Sequence, residues 1–456
     1  MSTYRLAVTG DVIMNTRVST CGDAGVLDAV ELLRGADVTC AHLEIPLHDF
    51  DGDDVFPAAE GALSWMRGPS SIADELAWCG VDVVSTASNH SLDYSYGGLA
   101  RTLEALDRVG IAHAGTGADL AVARAPAFVD TRVGRVAVVS ATSSFPAFAR
   151  AGAVRTDARG RPGVNPQRYL HVVSPDVADR LIGIVGTLGL WVVRRRDGAS
   201  DEFVVHPPGM HNSVWRFRVA SPAGAPTTAC DEDDLAGNLE SIRYARSVSD
   251  LVVAHLHVQA WDGADGRMSS TPGFAEEYAH AAVGAGAGLV LVQGSHAPIR
   301  GIEIHDSVPI LYDPGPLFRL GRREPQPQDF YTRWGNAPRV RSFDATLLDA
   351  FGQRDGATRD GATGDGAVRA VVSPREGYRH EPGFVLPVCE VDAATHRVSR
   401  LELNPMTWSD RSRATTGFPV RADQGRSEAV LARLAELSEP YGVTVSSQAG
   451  IGVVTV

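Results

Sequence analysis

Five side chains in this sequence have the types and placement to hold a cation and move protons: Asp11, Glu44, Asn89, His255 and His296. Each follows a short apolar run, in the segments Gly10-Asp11, His42-Leu43-Glu44, Ser88-Asn89-His90-Ser91-Leu92-Asp93, His255-Leu256-His257 and Gly294-Ser295-His296. Oxygen and imidazole donors without a thiolate suit a hard or borderline divalent cation. The oxygens allow Mg, Mn or Ca, and the histidines allow Zn or Fe. Taken singly, each residue also has a bland explanation. A Gly-Asp after a strand is commonly a turn, and Asn-His in a loop commonly caps the next helix. Glu44 ahead of Pro46 could cap a loop, and His255 could be a satisfied core histidine. Five such residues in order, each at a strand end, argue for one shared site. His280, His305, His380 and His396 fit surface or loop positions and receive no role.

The elements that must position these groups are legible as short apolar runs alternating with amphipathic stretches. Strands are predicted at Tyr4–Val8, Val38–Ala41, Val81–Ala87, Arg135–Ala141, Leu251–His255 and Leu289–Val292, and helices at Val26–Arg34, Ile72–Cys79 and Gly97–Val109. Runs of Val, Ile and Ala without alternation indicate strands buried on both faces, hence an α/β layered architecture. In open α/β sheets ligands bind beyond the carboxyl ends of the strands, which is where the five groups fall. The stretch from about 145 to 230 breaks the rhythm. It is rich in Pro, Gly and Arg, contains Arg194-Arg195-Arg196, and carries one expected helix near Pro175–Ile184. It reads as an insertion, either a substrate-docking element or a solvated decoration. Residues 353–368 contain a Gly-, Asp- and Thr-rich near-repeat that cannot pack a core and is expected to be a flexible loop. Strands near Gly383–Cys389, Arg397–Leu403 and Gly452–Val456, and a helix at Ser427–Leu437, form a tail expected to pack back on the sheet.

Composition narrows the function. At 456 residues the chain can bury a sizeable core as two or three domains or one large decorated one. A formal charge of −13 argues against nucleic acid or an anionic membrane as partner. All 42 basic side chains are Arg, so Schiff-base and P-loop lysine chemistry are excluded. Cys21, Cys40, Cys79, Cys230 and Cys389 are widely spaced and form no Cys-x-x-Cys pair, so buried free thiols are expected. The N-terminus runs straight into a strand without a tripartite signal, and the most apolar window, Leu181–Val193, is shorter than the roughly 20 residues a bilayer span needs. A cytoplasmic location is expected.

The order of Gly10-Asp11, Leu43-Glu44 with Pro46-Leu47, Asn89-His90 with Asp93 and Gly98-Leu99, and Gly110-Ile111 with Gly115 and Gly117 resembles the CapA family of capsule and poly-γ-glutamate synthesis proteins. Gly294-Ser295-His296 and Val308-Pro309-Ile310-Leu311-Tyr312 are similar to that family's closing motif. The resemblance covers about residues 4–320, the insertion excepted. It implies a calcineurin-like metallophosphoesterase fold, a four-layer α/β sandwich with two central β-sheets flanked by helices. A CapA-like domain at 1–320 would then be followed by a C-terminal extension at 321–456 packing on the core.

The sequence departs from this resemblance at informative positions. Ile13 stands where a binuclear phosphoesterase has a histidine, and Pro298 where the closing motif has a second one; both would serve the same metal. The ligands of the other metal survive as Glu44, Asn89 and His255, and His257 is offered as a further ligand or base. The resemblance thus implies one divalent metal ion with Asp11 released from full-time ligation. A single cation can act as a Lewis acid while two groups on opposite faces of a carbon remove and return its proton. Asp11 and His296 are the natural pair, with His90, oriented by Asp93, in reserve. This pattern resembles the metal-dependent, cofactor-independent peptide epimerases of lasso-peptide biosynthesis, which invert the Cα of a C-terminal residue in a ribosomally made precursor. Two rivals stand beside it: a metal-dependent phosphoesterase, and a non-catalytic CapA-type protein that binds an anionic polymer through Arg194–Arg196.

Overall fold

A computed structural model describes residues 3–59, 64–195, 201–209, 214–220, 227–260, 270–295, 299–319, 326–333, 383–410 and 415–456. His296, Pro298, Arg196 and the near-repeat at 353–368 lie outside these described residues.

Two larger sheets carry the chain. The first runs, in spatial order, through Ser446–Gln448, Ile451–Thr455, Val398–Trp408, Phe384–Asp392, Thr3–Val12, Val38–Leu43, Val83–Ser85 and Ala112–Ala114, with Pro419–Arg421 paired to Val398–Trp408. The four strands from Thr3–Val12 to Ala112–Ala114 are mutually parallel, and Phe384–Asp392 joins them antiparallel. The second runs through Gly301–His305, Val308–Tyr312, Leu289–Gln293, Leu251–His257, Arg135–Thr142 and Ala127–Asp130. Parallel strands require crossovers, and helices Ala24–Arg34, Ile72–Trp78 and Ser95–Val109 supply them in the first sheet. Asp23 caps the first of these by accepting from the N–H groups of Gly25 and Val26, and Gly110 ends the third in the left-handed conformation at φ 76°.

Side-chain alternation along the strands explains the packing. Leu6, Val8, Val38, Cys40 and Val83 of the first sheet form one core with Val136, Val138, Leu251, Val253, Leu289 and Leu291 of the second. Ala7, Ala41 and Val84 point the other way, against Val26, Val30, Leu33, Ile72 and Leu76 of the helices. Ala137, Val139, Val252, Ala254 and Val290 pack on Ile242 of helix Glu232–Val248 and on Phe274, Tyr278 and Ala282 of helix Gly273–Gly284. Burying such a side chain contributes about 1.5–3 kcal/mol, so both faces of each central strand are committed to the core.

The insertion is more ordered than its composition suggests. Tyr169–Val173, Trp191–Arg195, Glu202–His206, Trp215–Val219 and Thr228–Cys230 form a five-stranded sheet of their own, covered by helix Pro175–Thr187. Ala178, Val185, Phe203 and Val205 are its core. Only the helix was legible, because polar and apolar residues alternate in half-buried strands such as Trp215-Arg216-Phe217-Arg218-Val219. The C-terminal segment likewise does more than pack on the core: its strands complete the first sheet and flank Thr3–Val12. Cys40, Cys79, Cys230 and Cys389 are buried free thiols, Cys21 is a partly buried one, and burial pushes Cys40, Cys79 and Cys389 up to about 12. Among the described residues no helix is long and apolar enough to cross a membrane.

Candidate metal centre

The same alternation that builds the inter-sheet core turns polar at the carboxyl ends of the strands. Val38 and Cys40 are followed two residues on by His42, Val83 by Ser85, Val136 and Val138 by Ser140, Leu251 and Val253 by His255 and His257, and Leu289 and Leu291 by Gln293. Residues two apart share a face, so these polar groups face one another across the gap between the sheets. All of them are buried.

Asp11 reaches the same gap by an irregularity. The pairing of the first two strands shifts register between Val8, opposite Cys40, and Asp11, opposite His42, so the first strand carries one extra residue. A bulge of this kind re-aims the side chain that follows it. Gly10 is required there, because a Cβ would lie 2.1 Å from the carbonyl oxygen of Gly315. That close approach lets the segment after Tyr312 seal the strand end. The N–H groups of Leu317 and Phe318 donate to the Asp11 carbonyl at 2.8 and 3.2 Å.

The groups converge closely. Asp11 Oδ1 lies 3.9 Å from His257 Nδ1 and 3.9 Å from His42 Nε2. Glu44 Oε1 is 3.7 Å from His257 Nε2, and Asn89 Oδ1 is 2.9 Å from the same nitrogen. Asn89 also donates to Gln259 Oε1 at 3.1 Å. Gly294, at φ 119°, leaves the space for the His257 ring, since a Cβ there would sit 2.5 Å from it. Asp11, His42 and His257 each offer one donor atom, all within 4.8 Å of one another. Donors sharing a cation at bond lengths of about 2.0–2.6 Å lie within that reach. Two carboxylates and two imidazoles with no thiolate, taken wholly out of water, are the donor set of a site that could hold a divalent ion. Burying such charges without a counter-ion is costly.

His255 sits one step deeper. Its Nδ1 is 3.0 Å from Ser85 Oγ and 3.2 Å from Ser140 Oγ, its Nε2 is 3.0 Å from the Gln293 amide nitrogen, and its ring stacks on His42 at 4.7 Å. The position facing the carboxylates is taken by His257 and by His42, which strand patterning had left without a role. Burial pushes the His255 pKa down to about 3, with Asp11 opposing. The unfolded chain therefore takes up a proton near pH 6.5 that the folded chain refuses, and stability is full above that pH and falls as pH drops toward about 3. Urea titrations from pH 7 to pH 4 should show a decline of roughly 1 kcal/mol per pH unit from this group. His255→Gln should flatten it; an unchanged slope in that variant would reject the assignment.

The remaining candidates flank this gap. His90 Nδ1 is 2.6 Å from Asp93 Oδ2, which also accepts the Met66 N–H at 2.7 Å. The loop carrying Asn89 and His90 is shaped by Ser91, whose hydroxyl donates to the Thr86 carbonyl at 2.6 Å. Helix Ser95–Val109 starts at Tyr94 without a side-chain cap, so Asn89 and His90 are not spent on capping. Asp313 accepts from the backbone and hydroxyl of Ser295; burial raises its pKa to about 6, Arg300 opposing. His280 and His305, given no role above, stack at 4.0 Å and lie 2.9 and 3.6 Å from Glu303 on the protein surface.

Two proteins of Sinorhizobium fredii, y4sH and y4uA, both described as uncharacterized, are each 29% identical to this chain, over 99% of it and 93% of their own length. The family model of the bacterial capsule synthesis protein PGA_cap matches residues 5–318, the segment that contains every strand end described above. This chain belongs to the PGA_cap family.

Proposed function

We propose that this protein is a divalent-metal-dependent peptide epimerase, inverting the Cα of the C-terminal residue of a ribosomally made precursor peptide of the lasso type. One observation carries the reading: a buried carboxylate, Asp11, faces the donor group of Glu44, Asn89 and His257 at 3.9 Å from His257. Beside it, Ile13 is buried in the apolar core and offers no donor for a second ion. The finer fold assignment, a four-layer sandwich of the calcineurin-like metallophosphoesterase type, is supported by helices packed on the outer face of each sheet.

Glu44, Asn89 and His257 would hold the ion, with His42 stacked on His257 at 4.8 Å to restrain its ring. A bound cation would supply Lewis-acid polarisation of a carbonyl or carboxylate oxygen. Asp11 then takes the Cα proton on one face. His296, which lies outside the described residues, returns a proton on the other; His90, fixed by Asp93, is the reserve donor. One proton leaves to Asp11 and another arrives from the acid on the opposite face; because that acid exchanges its proton with water, solvent hydrogen enters the product. A ribosomal precursor is met in the cytoplasm, and the ordered sheet of the insertion is a surface on which it could dock.

Incubation with divalent metal and candidate precursor peptides in D2O should give a one-dalton gain together with a change in retention. No deuterium entry across all candidates would overturn the proposal. A phosphoesterase remains the second reading, favoured by the His90–Asp93 pair beside Asn89; metal-stimulated cleavage of an aryl phosphodiester would select it.

A further inference from the structure

We propose that His280, Glu303 and His305 form a second cation site, on the protein surface, which takes a borderline divalent ion of the zinc class and clips helix Gly273–Gly284 to the edge hairpin Gly301–Tyr312. This goes beyond the epimerase reading and does not depend on it.

The two elements are built to bring these side chains together. Gly301–His305 is the edge strand of the second sheet and pairs antiparallel with Val308–Tyr312. Asp306 and Ser307, at φ 48° and 60°, make the turn between them, with the pair of left-handed residues that a tight hairpin needs. Ile302 enters the inter-sheet core, so period two turns Glu303 and His305 to the other face of the sheet, the helix side. His280 reaches them from helix Gly273–Gly284, which is anchored by Phe274, Tyr278 and Ala282. The buried centre lies elsewhere. Through the pairings Glu303–Ile310, Ile310–Val290 and Val290–Ala254, Glu303 is level with Ala254 rather than with His257, which faces the gap between the sheets.

Both imidazoles converge on one carboxylate oxygen. His280 Nε2 is 2.9 Å from Glu303 Oε1, and His305 Nδ1 is 3.6 Å from the same atom. One donor atom of each residue lies within 4.8 Å of the other two, the reach of ligands sharing an ion at about 2.0–2.2 Å. The rings stack at 4.0 Å with their planes 9° apart. Glu303 is only 13% exposed, and its other oxygen accepts the Tyr312 hydroxyl at 2.8 Å. Tyr312 is held in turn, stacking at 5.2 Å on Tyr441, whose hydroxyl donates to Glu276 at 2.8 Å. A ligating carboxylate is commonly oriented in this way, by a fixed donor on its second oxygen. One histidine suffices to satisfy Glu303 Oε1 by hydrogen bonding; a second, from a different element, is accounted for by a shared ion. His280 and His305 are 40% and 33% exposed, so water can complete the coordination. Two nitrogens and one oxygen select Zn, Cu or Ni over Mg or Ca.

The probe is zinc, titrated by calorimetry into the full chain, free of any histidine tag and stripped with chelator. The wild type should take up one more zinc per chain than the double variant His280→Gln/His305→Gln. Excess magnesium should leave that additional equivalent in place. Glu303→Gln, which keeps shape and can still accept from Tyr312, should weaken it by about 10- to 100-fold. Matching far-UV circular dichroism in chelator shows that the variants fold. Hydrogen exchange should find Gly273–Gly284 and Gly301–Tyr312 protected by zinc in the wild type and unprotected in the double variant. Equal zinc stoichiometry in wild type and double variant, or wild-type affinity in Glu303→Gln, leaves only a surface ion pair and overturns the proposal. Zinc bound without added protection overturns the clip. A wild type that binds one zinc and a folded double variant that binds none supports this site while removing the buried centre, so the two claims fail separately.

Discussion

Asp11→Asn is expected to leave a folded protein that binds one divalent ion but no longer exchanges a peptide Cα proton with solvent. The substitution keeps shape and volume. It also keeps the carbonyl that receives the Leu317 and Phe318 N–H groups, so the sealed strand end should survive. What it removes is the oxygen that can accept a proton. General base catalysis is worth about 10²- to 10⁴-fold, so deuterium entry should fall by at least that factor. Isothermal titration with Mn or Zn separates the two roles open to a carboxylate in this position. Metal affinity within a few-fold of wild type, with exchange abolished, assigns Asp11 as base. A parallel loss of metal would instead make it a ligand, as its place beside His42 and His257 allows.

His257→Ala is expected to give the opposite pattern, an early loss of metal. Its Nε2 is the point at which Glu44 Oε1 and Asn89 Oδ1 meet, and Gly294 exists at φ 119° to admit its ring. Even outer-shell changes at metal sites cost about 10- to 100-fold in affinity, so loss of a ligand should cost about 100-fold or more. Glu44→Gln should follow the same direction. His255→Ala should change stability far more than affinity, because its nitrogens are engaged by Ser85, Ser140 and Gln293. Titration calorimetry on the three variants checks this ordering. Metal binding unchanged in His257→Ala would remove the centre as drawn.

Much of this arrangement was legible in the residues, and what was not has physical causes. Strand positions came through because runs such as Leu251-Val252-Val253-Ala254 are apolar on both faces and can only be interior. His42 was passed over as a spacer before Glu44. The pattern Val38, Cys40, His42 carries the signal, since period two places it on the face of its apolar neighbours. The same period would have found Ser85, Ser140 and Gln293, and would have ranked His257 beside His255. No local signal exists for the pairing of Thr3–Val12 with Phe384–Asp392, because register between segments so far apart is chosen by the assembled core. The bulge that aims Asp11 was likewise hidden: a lone glycine in a strand announces an irregularity but not its direction.

The antiparallel seam between Thr3–Val12 and Phe384–Asp392 bears on how the protein comes into being. The strand that carries Asp11 is made long before one of its two flanks, Phe384–Asp392. Until then a long apolar ribbon waits with its amides and carbonyls bare along one margin, the condition in which nascent chains cling to chaperones or to each other. The strand that carries Asp11 is therefore not flanked on both sides until those later residues have been made.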